Sequence, residues 1–465
     1  MTFARTSGLA RLAEISGSAH VMAEPADLAL YRIAGQMPAV AVRPSSAEEA
    51  AEIVKFAAAE RLAVVPAAGR TKLDMGMPPK KYDIALDLSR LDRIIAYDPG
   101  DLTLSVEPGI PLQRLSGVLA GHRQFLPLAA PFAPRATAGG TLAAGVDSPL
   151  RQFYGTARDY VLGIEFVTGD GVRAKSGGRV VKNVSGYDLH KLMIGALGTL
   201  GILTQINFRT FPLPGETWAL AASFDGAAGA LDFRSRVANS PLRPLTLEIL
   251  SPETVVLLAG EEAARIEPGP APEAQFAKGK WTVAASFAGK EPVLERYTRD
   301  LRQMAGDSGA SGVLLFSDRD TSCNLARLRE FVPVALASSP AATVLKLSVL
   351  PSRLRELLDA VCAAAELSDL PRAVLARGLG VVYAALLPAK RDSGALRRVV
   401  QATGQILNSC AGLGGNSSIP WCPGEWKESL SVWGPDRSDF AQMRKLKSVF
   451  DPAGILAPGR FAGGM

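Results

Sequence analysis

Glycines recur every third residue in an apolar stretch, GYDLHKLMIGALGTLGILT, at residues 186–204. Glycines at this density allow a backbone to approach a phosphate or an aromatic ring closely. A dinucleotide site of the Rossmann type requires a strand, then glycines, then a helix whose N-terminus faces the pyrophosphate. Here a short predicted helix comes first and a predicted strand follows. Taken alone, the stretch predicts a tight helix-to-strand turn with packing glycines.

A second loop, PAAGRTKLDMG at residues 66–76, follows a predicted strand and is rich in hydrogen-bond donors. Arg70, Thr71 and Lys72 supply side-chain donors, and successive backbone N–H groups of such a loop can hold a phosphate. It is not a Walker loop, because the Gly-Lys-Thr order is absent and a strand follows instead of a helix. The alternative is an exposed basic turn.

A third segment, ATAGGTLAAG at residues 136–145, contains three glycines and no charged side chain. A loop of this composition would allow a flat apolar ring to lie against its backbone. The alternative is a connection that is merely rich in glycine and alanine. Because it follows the donor-rich loop by about 60 residues, this segment favours the phosphate interpretation of that loop over the basic turn.

Composition limits the classes of protein to which the chain can belong. Its 465 residues are 48% hydrophobic and 21% charged, which predicts two or three globular domains. The net charge of +6 is dispersed, so it favours an anionic cofactor or substrate over nucleic acid. The N-terminus is too interrupted by charges for a signal peptide, and no window approaches a transmembrane span. We therefore expect a cytoplasmic protein.

Cysteine and histidine are too few and too scattered for most metal chemistry. The four cysteines form no CxxC pair and no zinc or iron–sulfur spacing, which indicates free thiols in a reducing compartment. Only three histidines occur, His20, His122 and His190. The sequence thus predicts no metal site and no iron–sulfur cluster in this chain.

The elements that must position these loops follow from hydrophobic periodicity. Residues 38–66 predict a strand, a helix that begins with a capping box at Ser46 and Glu49, and a second strand, which favours parallel pairing. Glycines at 169 and 171 predict a hairpin turn. Beyond about residue 215, strands and helices alternate in an α+β pattern with antiparallel strands expected.

In this order, the motifs resemble those of flavoproteins of the vanillyl-alcohol oxidase type, whose FAD-binding domain is the two-part PCMH type. The resemblance covers roughly residues 36–215 and 438–461. Five segments carry it: PAAGRTKLDMG, ATAGGTLAAG, YGTARDYVLGIEFVTGDG, KNVSGYDLHKLMIGALGTLGILT and KSVFDPAGILAPGRF. Within that family, KNVSGYDLHKLMIG resembles the FAD-binding subunits of bacterial glycolate oxidases, relatives of the D-lactate and D-2-hydroxyglutarate dehydrogenases.

The resemblance implies an α+β fold in which the chain is divided into four parts. A two-lobed PCMH-type FAD-binding domain is expected at residues 36–215. An α+β cap or substrate domain with an antiparallel sheet is expected at residues 216–435. Residues 1–35 would form an N-terminal segment, and residues 436–465 a C-terminal helix and tail that return to the FAD domain.

The resemblance also implies which residues contact FAD. In such proteins the loop like 66–72 holds the pyrophosphate through backbone N–H groups, the stretch like 137–145 lies along the flavin, and the turn like 198–202 backs the adenine. The implied cofactor-binding residues are Pro66, Ala67, Ala68, Gly69, Arg70, Thr71, Lys72, Thr137, Gly139, Gly140, Gly145, Gly155, Gly198, Gly201 and Ile202.

Covalent attachment of FAD, which some members of the family form through a histidine, is not expected here. No histidine occurs in residues 137–145, and His122 and His190 are poor candidates. We expect His190 to be exposed on its short helix and to have a structural role. The expected cofactor is therefore non-covalent FAD.

The catalytic residues stay unassigned. Hydroxy-acid dehydrogenases of this family carry a Gly-Glu-His-Gly motif where this chain reads AGLGGNSSIP at residues 411–420, and no histidine follows His190. The segment WCPGEWKESLSVWGPDR holds Trp421, Trp426, Trp433, Lys427 and Arg437. It is either an anion pocket with aromatic walls or a set of core tryptophans with a solvated basic rim.

Three functions remain open. The favoured one is an FAD-binding subunit of a glycolate oxidase complex, which oxidises glycolate to glyoxylate and passes electrons to a second FAD-linked subunit and an iron–sulfur subunit. The second is a self-sufficient dehydrogenase of 2-hydroxy acids, like the D-lactate enzymes. The third is a non-catalytic flavin fold with a structural role. Partners would attach the chain peripherally to the inner membrane.

Overall fold

A computed structural model describes residues 5–180, 186–267, 279–435 and 438–465. In these ranges the strands are β1 (Val21–Met22), β2 (Val40–Val42), β3 (Val64–Ala67), β4 (Ile84–Asp87), β5 (Ile94–Asp98), β6 (Thr103–Val106), β7 (Gln124–Phe125), β8 (Val161–Val167), β9 (Arg173–Gly177), β10 (Ile202–Arg209), β11 (Phe211–Pro212), β12 (Glu216–Phe224), β13 (Thr246–Leu250), β14 (Trp281–Gly289), β15 (Gly312–Ser317), β16 (Thr343–Ser348), β17 (Arg372–Arg377), β18 (Val381–Leu386) and β19 (Asn416–Trp421). The helices are α1 (Arg5–Ser16), α2 (Pro25–Leu28), α3 (Ala47–Ala59), α4 (Leu112–Ala120), α5 (Ala138–Ala144), α6 (Arg151–Tyr154), α7 (Ala157–Tyr160), α8 (His190–Met193), α9 (Ala227–Asn239), α10 (Pro252–Ala259), α11 (Glu261–Ile266), α12 (Glu291–Asp307), α13 (Asp318–Arg329), α14 (Phe331–Ser338), α15 (Leu354–Leu367), α16 (Ser393–Gly412) and α17 (Phe440–Phe450).

A small, mostly parallel sheet contains the first predicted strand–helix–strand unit. Its order is β1-β2-β4-β3, so β2 and β3 are parallel, as predicted, but β4 lies between them. The helix between them begins where the sequence indicates, because Ser46 Oγ accepts from the Glu49 N–H at 3.1 Å. The C-terminal tail extends this sheet, since the Val64 and Ala457 N–H groups donate to Ile455 and Val64 carbonyls at 2.8 Å.

A second sheet is antiparallel, in the order β5-β6-β10-β8-β9. The predicted hairpin turn at 169–171 joins β8 to β9, and Gly171 has a φ of 81°. Strand β10 runs directly out of the glycine stretch, so the chain between α8 and β10 is the helix-to-strand turn that the sequence predicts. Residues 182–185 of the KNVSGYDL motif lie outside the described residues.

A third, larger sheet is antiparallel and has the order β15-β12-β14-β13-β17-β18-β16-β19 within the described ranges; we call it the cap sheet. One face buries an apolar core with helices α9, α12, α15 and α16. The other face packs against α10 and α14 and against Met75 and Leu197 from the N-terminal part of the chain. The predicted α+β class and the antiparallel cap are confirmed, while the domain boundaries stay a prediction.

One local prediction was wrong. The uncharged segment at 137–145, expected to be a loop, forms helix α5. Thr137 caps its start, with Oγ1 accepting from the Gly140 N–H at 3.3 Å, and Gly145 ends it in the left-handed region with a φ of 59°. A threonine N-cap and a glycine C-cap are ordinary helix boundary signals, and the alanines between them favour a helix.

Candidate cofactor site

A cleft with an empty volume of about 740 Å³, open solvent included, lies where β3, α5 and the turn before β10 meet. That size is within the usual range of small-molecule sites. It brings together twelve of the fifteen residues singled out in the sequence. These are Pro66, Ala67, Ala68, Gly69, Arg70, Thr71, Lys72, Thr137, Gly139, Gly140, Gly198 and Gly201.

Unpaired backbone donors line one side of this cleft. After β3 the chain turns, and Arg70 adopts the left-handed region with a φ of 56°. Among the described residues, the backbone N–H groups of residues 69–72 have no hydrogen-bond partner. Successive free amides around a left-handed residue form a concavity that binds anions. The loop therefore offers the donor set that a pyrophosphate requires.

Three glycines allow the walls of the cleft to come together. A Cβ at Gly69 would lie well under 3.0 Å from the Arg135 carbonyl oxygen, and one at Gly139 would overlap Pro108. Gly198 has a φ of 72°, and its absent Cβ would overlap Pro66. Each glycine thus serves close packing, and the segments that pack are the three that form the cleft.

Arg70 is held by a buried carboxylate. Its Nη1 donates to Asp87 Oδ2 at 3.1 Å, and Tyr31 Oη donates to the same oxygen at 2.5 Å. The guanidinium also lies 5.2 Å from the centre of the Tyr31 ring. Because its Nε is buried and has no hydrogen-bond partner in the described part of the chain, Arg70 retains a donor.

Lys72 is a buried cation with no ion pair to any described residue. Its Nζ donates to Thr71 Oγ1 at 2.9 Å and is 3.4 Å from the Pro131 carbonyl oxygen. Burial lowers the pKa of Lys72 to about 8, against the opposing effect of the Glu330 carboxylate. That carboxylate is occupied by the Phe132 N–H at 2.7 Å. A phosphate in the cleft would supply the missing counter-charge.

We expect FAD binding to weaken as the pH rises above about 8. Below that pH Lys72 is protonated in the empty site, and its charge attracts a phosphate. Above that pH Lys72 is neutral and must first take up a proton, which lowers the affinity for FAD. Replacing Lys72 with methionine should weaken binding by about 10- to 100-fold, as for a lost hydrogen bond to a charged group, and flatten the pH profile. Flavin fluorescence titrations from pH 6 to 9.5 measure both effects.

The control for this experiment is Lys55→Met, which removes a lysine exposed on α3. It should leave the dissociation constant of FAD and its pH profile unchanged. A wild-type profile that stays flat across pH 8 would contradict the role of Lys72.

A second cavity of about 550 Å³, open solvent included, lies next to the cleft at the cap sheet. The two share Ala144 and Leu197. The second cavity is lined by Met75, Gly76, Ala144, Gly145, Gly195, Leu197, Lys346, Ser418, Ile419, Pro420, Val432 and Trp433. The predicted residue Gly145 therefore lies in the second cavity and not in the first.

A lysine of the cap sheet projects into this second cavity. Lys346 is on β16, and its Nζ donates to the Gly145 carbonyl oxygen at 3.3 Å. Burial lowers the pKa of Lys346, while the Asp147 carboxylate acts in the opposite direction. Within the described residues, no carboxylate comes within ion-pair distance of its Nζ. The cavity therefore has a cation facing a wall of glycine backbone.

Behind Lys346, a buried ionic network joins the cap sheet to the end of α5. Arg377 Nε lies 2.7 Å from Asp147 Oδ2, and its Nη1 donates to Glu248 Oε1 at 2.8 Å. Glu248 and Arg377 are cross-strand partners on β13 and β17. Burial raises the pKa of Glu248 to about 7, although Arg377 opposes that shift.

Two of the predicted cofactor residues lie outside both cavities. Gly155 has a φ of 77° and its absent Cβ would overlap the Asp159 carboxylate, so this glycine serves the capping box before α7. Ile202 is fully buried in the core beneath β3 and β4. For these two residues the contact with the cofactor stays a prediction.

The expectation that His190 is exposed was wrong, while its structural role stays a prediction. Its side chain is 4% exposed, and its Nδ1 lies 3.3 Å from Ser176 Oγ. Because α8 has a single turn and packs on β8 and β9, this position faces inward. Burial also lowers the pKa of His190.

The tryptophan-rich segment divides between the two interpretations. Trp421 and Trp426 are buried in the cap core, whereas Trp433 lines the second cavity. Lys427 is fully buried, so it is not part of a solvated basic rim. Its Nζ donates to the carbonyl oxygens of Asp74 and Gly76.

Arg460 and Lys346 are two charged wall residues that sequence reasoning missed. Arg460 lines the first cleft from the C-terminal tail, although the terminal motif was recognised without a role for its arginine.

In the described ranges no group of His, Cys, Asp and Glu side chains is arranged to hold a metal ion. None of the helices there has the length and apolar content required to span a bilayer.

Solved structures share this fold. The chain aligns with p-cresol methylhydroxylase with a TM-score of 0.77 and 18% identity, over 97% of this chain and 96% of that one. A 4-ethylphenol oxidase from Gulosibacter chungangensis gives a TM-score of 0.74, 18% identity and the same coverage. At these identities the similarity shows that the chain has the fold of these two enzymes.

Family comparisons give the narrower class. Residues 38–176 match the FAD binding domain family, and residues 213–461 match the family of FAD linked oxidases, C-terminal domain. The chain belongs to the FAD-linked oxidases. FAD is its cofactor, and the free amides and cations of the cleft fit that group.

Curated relatives are similar at low identity. The glycolate oxidase subunit GlcD of Bacillus subtilis is 25% identical over 91% of this chain and 89% of its own length. A mitochondrial D-lactate dehydrogenase [cytochrome] of Arabidopsis thaliana is 24% identical over 92% of this chain and 74% of its own length. The glycolate oxidase subunit GlcE of Escherichia coli is 34% identical over 42% of this chain and 55% of its own length.

Proposed function

We propose that this chain is the FAD-binding subunit of a glycolate-oxidase-type complex that oxidises a small 2-hydroxy acid, glycolate to glyoxylate, and passes the electrons to partner subunits. One observation carries the proposal: the cavity lined by residues 69–72 and the cavity lined by Lys346 of the cap sheet are neighbours that share the wall residues Ala144 and Leu197. The similarity to GlcD and to D-lactate dehydrogenases supports oxidation at a CH–OH group.

The two cavities support a proposed position for the cofactor. The amides of residues 69–72 and Lys72 hold the pyrophosphate in the first, and the backbone of Gly145 lies against the ring in the second. Bound FAD supplies the acceptor for the hydride equivalent that leaves the substrate carbon. None of the described residues that line either cavity is His, Cys or Tyr, which supports non-covalent binding.

Lys346 is the proposed anchor for the substrate. A 2-hydroxy acid carries a carboxylate, and a buried ammonium without an acidic partner binds such a group strongly. Arg377, the neighbouring cation, is already engaged by Asp147 and Glu248. Lys346 therefore holds the carboxylate and orients the hydroxyl-bearing carbon within the second cavity.

Partners are proposed because the chain lacks an electron relay of its own. The four cysteines are free and form no cluster spacing. Similarity to both GlcD and GlcE supports a complex of FAD-linked subunits, to which we add an iron–sulfur subunit as the acceptor. The alternatives are a self-sufficient dehydrogenase and a non-catalytic flavin subunit.

The test compares the isolated holoprotein with the complex purified through a tag on this chain. Visible spectra are recorded anaerobically before and after addition of glycolate or D-lactate. We expect the flavin bands of the complex to bleach with glycolate. If the isolated chain bleaches as fast and turns over with an artificial acceptor, it is a self-sufficient dehydrogenase. Bands that never bleach in either preparation would indicate a structural subunit.

Lys346→Met should raise the KM for the 2-hydroxy acid about 10- to 100-fold, as for the loss of a hydrogen bond to a charged group. Lys346→Arg, which keeps the charge, should retain part of the affinity. Both variants should still bind FAD, because the proposed pyrophosphate contacts in the first cleft are not altered. An unchanged KM in Lys346→Met would refute the anchor.

A further inference from the structure

Arg460 reaches the cofactor cleft from the far end of the chain. The side chain belongs to the tail after α17 and is 3% exposed. Its Nη2 donates to the carbonyl oxygens of Leu73 and Met75, each at 2.5 Å. These carbonyls directly follow the loop whose amides are free, so Arg460 contacts the base of the anion-binding loop.

A second buried cation holds the alternate carbonyls of the same turn. Lys427, from the cap, donates to Asp74 and Gly76. Four successive carbonyl oxygens, residues 73–76, are therefore shared between one lysine and one arginine. Each cation donates to two of these carbonyl oxygens, so a lysine side chain is sufficient to hold two of them.

Arg460 has donors beyond those that hold the turn. Its Nε and Nη1 are buried and have no hydrogen-bond partner in the described part of the chain. No carboxylate of a described residue lies within ion-pair distance of the guanidinium. Burial lowers the pKa of Arg460 to about 10. A buried donor that lacks a partner is costly, above all on a charged group, which indicates that a ligand completes this one.

The position of these donors indicates which ligand that is. Arg460 lines the same cleft as Lys72 and the free amides. Its backbone carbonyl accepts from Trp433 Nε1 at 3.2 Å, and Trp433 lines the second cavity. The side chain therefore lies beside the cleft near its junction with the second cavity. Because Nη2 is engaged by the turn, Nη1 is left as a charged donor, which suits one oxygen of a phosphate or a carbonyl group.

We propose that Arg460 is a cofactor-binding residue, whose Nη1 donates to an acceptor oxygen of bound FAD while Nη2 holds the carbonyls of Leu73 and Met75 in the 73–76 turn. The proposal rests on FAD occupying the cleft and does not depend on which 2-hydroxy acid is oxidised. Two parts of the cofactor offer the same chemistry: the pyrophosphate and the carbonyl oxygens of the ring.

The test separates direct contact from loop positioning with three variants. Arg460→Lys keeps a cation able to hold two carbonyls but removes the extra donors. Lys427→Arg and Lys427→Met alter only the second cation. Dissociation constants for FAD and for ADP are measured on the full-length apoprotein, together with the flavin midpoint potential. Far-UV circular dichroism and thermal unfolding establish that each apoprotein is folded.

We expect Arg460→Lys to weaken FAD binding by at least about tenfold, as for the loss of a hydrogen bond to a charged group. Lys427→Arg should weaken FAD binding less, because a cation that can hold the carbonyls of Asp74 and Gly76 is kept. Equal losses for FAD and ADP place the contact at the pyrophosphate. A loss for FAD alone, with a lowered midpoint potential, places it at the ring.

Two results would overturn the proposal. One is wild-type affinity for FAD in Arg460→Lys, which would show that holding the turn is the whole role of this residue. The other is a loss in Lys427→Met as large as that in Arg460→Lys, because Lys427 contacts only the turn. Both are independent of substrate oxidation, so they leave the proposed function to its own experiment.

Discussion

Gly69→Ala is expected to weaken FAD binding by at least about 100-fold, as for a binding group displaced by about 1 Å. The new Cβ would overlap the carbonyl oxygen of Arg135, which is backbone and has no rotamer to adopt. The loop must therefore move away from the segment that leads into α5. Its free amides at 70–72 move with it, and the overpacking should also lower the free energy of unfolding by about 1–3 kcal/mol.

The matched control for this variant is Gly404→Ala, in the middle of α16. Nothing lies within 4 Å of the Cβ that this change adds. Alanine is the better helix former, so the variant should bind FAD normally and gain up to about 1 kcal/mol in stability. Dissociation constants and denaturant unfolding curves measure both variants. Normal affinity in Gly69→Ala would show that the loop's position is not required.

Arg377→Met is expected to lower the free energy of unfolding by about 3–5 kcal/mol, the usual cost of removing one member of a buried ionic network. Asp147 and Glu248 would then remain buried without their shared cation. Because Asp147 follows α5 and the other two lie on the cap sheet, the loss should also loosen the cap where it meets the second cavity. Urea unfolding curves measure this change in the free energy of unfolding.

The effect of Arg377→Met should depend on pH. The pKa of Glu248 is already raised to about 7, so the folded protein binds this proton more tightly than the unfolded chain. The stability contributed by that proton is present at low pH and is lost as the pH rises through about 7. Without the guanidinium the pKa of Glu248 rises further. The loss in the free energy of unfolding relative to wild type should therefore be smaller at pH 5 than at pH 8.

Arg353→Met is the control, since Arg353 pairs with Glu356 on the surface at 53% exposure. Exposed pairs contribute about 0–1 kcal/mol, so little change is expected. A loss in Arg377→Met no larger than in this control would mean that the buried network does not hold the cap.

Local patterns in the sequence predicted much of the fold because they depend on neighbouring residues. The capping box of α3, the hairpin turn at 169–171 and the antiparallel strands of the cap all follow from short-range spacing. The same logic failed at residues 137–145, where glycine content concealed a threonine N-cap and a glycine C-cap.

The sequence predicted which segments of the chain contribute to the candidate site, but not how those segments pack together. The donor loop at 66–72 was recognised from residue types, and twelve predicted residues share one cleft. Gly155 and Ile202 match the family's motifs in sequence, yet they lie outside both cavities. A motif identifies a segment, but which of its side chains are buried, and which way they point, depends on the residues that pack against it.

The amino-acid sequence by itself determined the α+β class, the order of the flavoprotein motifs and the absence of a cysteine-based cluster spacing. Only the tertiary structure decided which surfaces meet. Arg460 contacts Leu73 across 387 positions of the chain, and Lys427 contacts Gly76 across 351. No local spacing encodes such contacts, because they arise when separate segments exclude water from a common interior and bring their unpaired donors to one cleft.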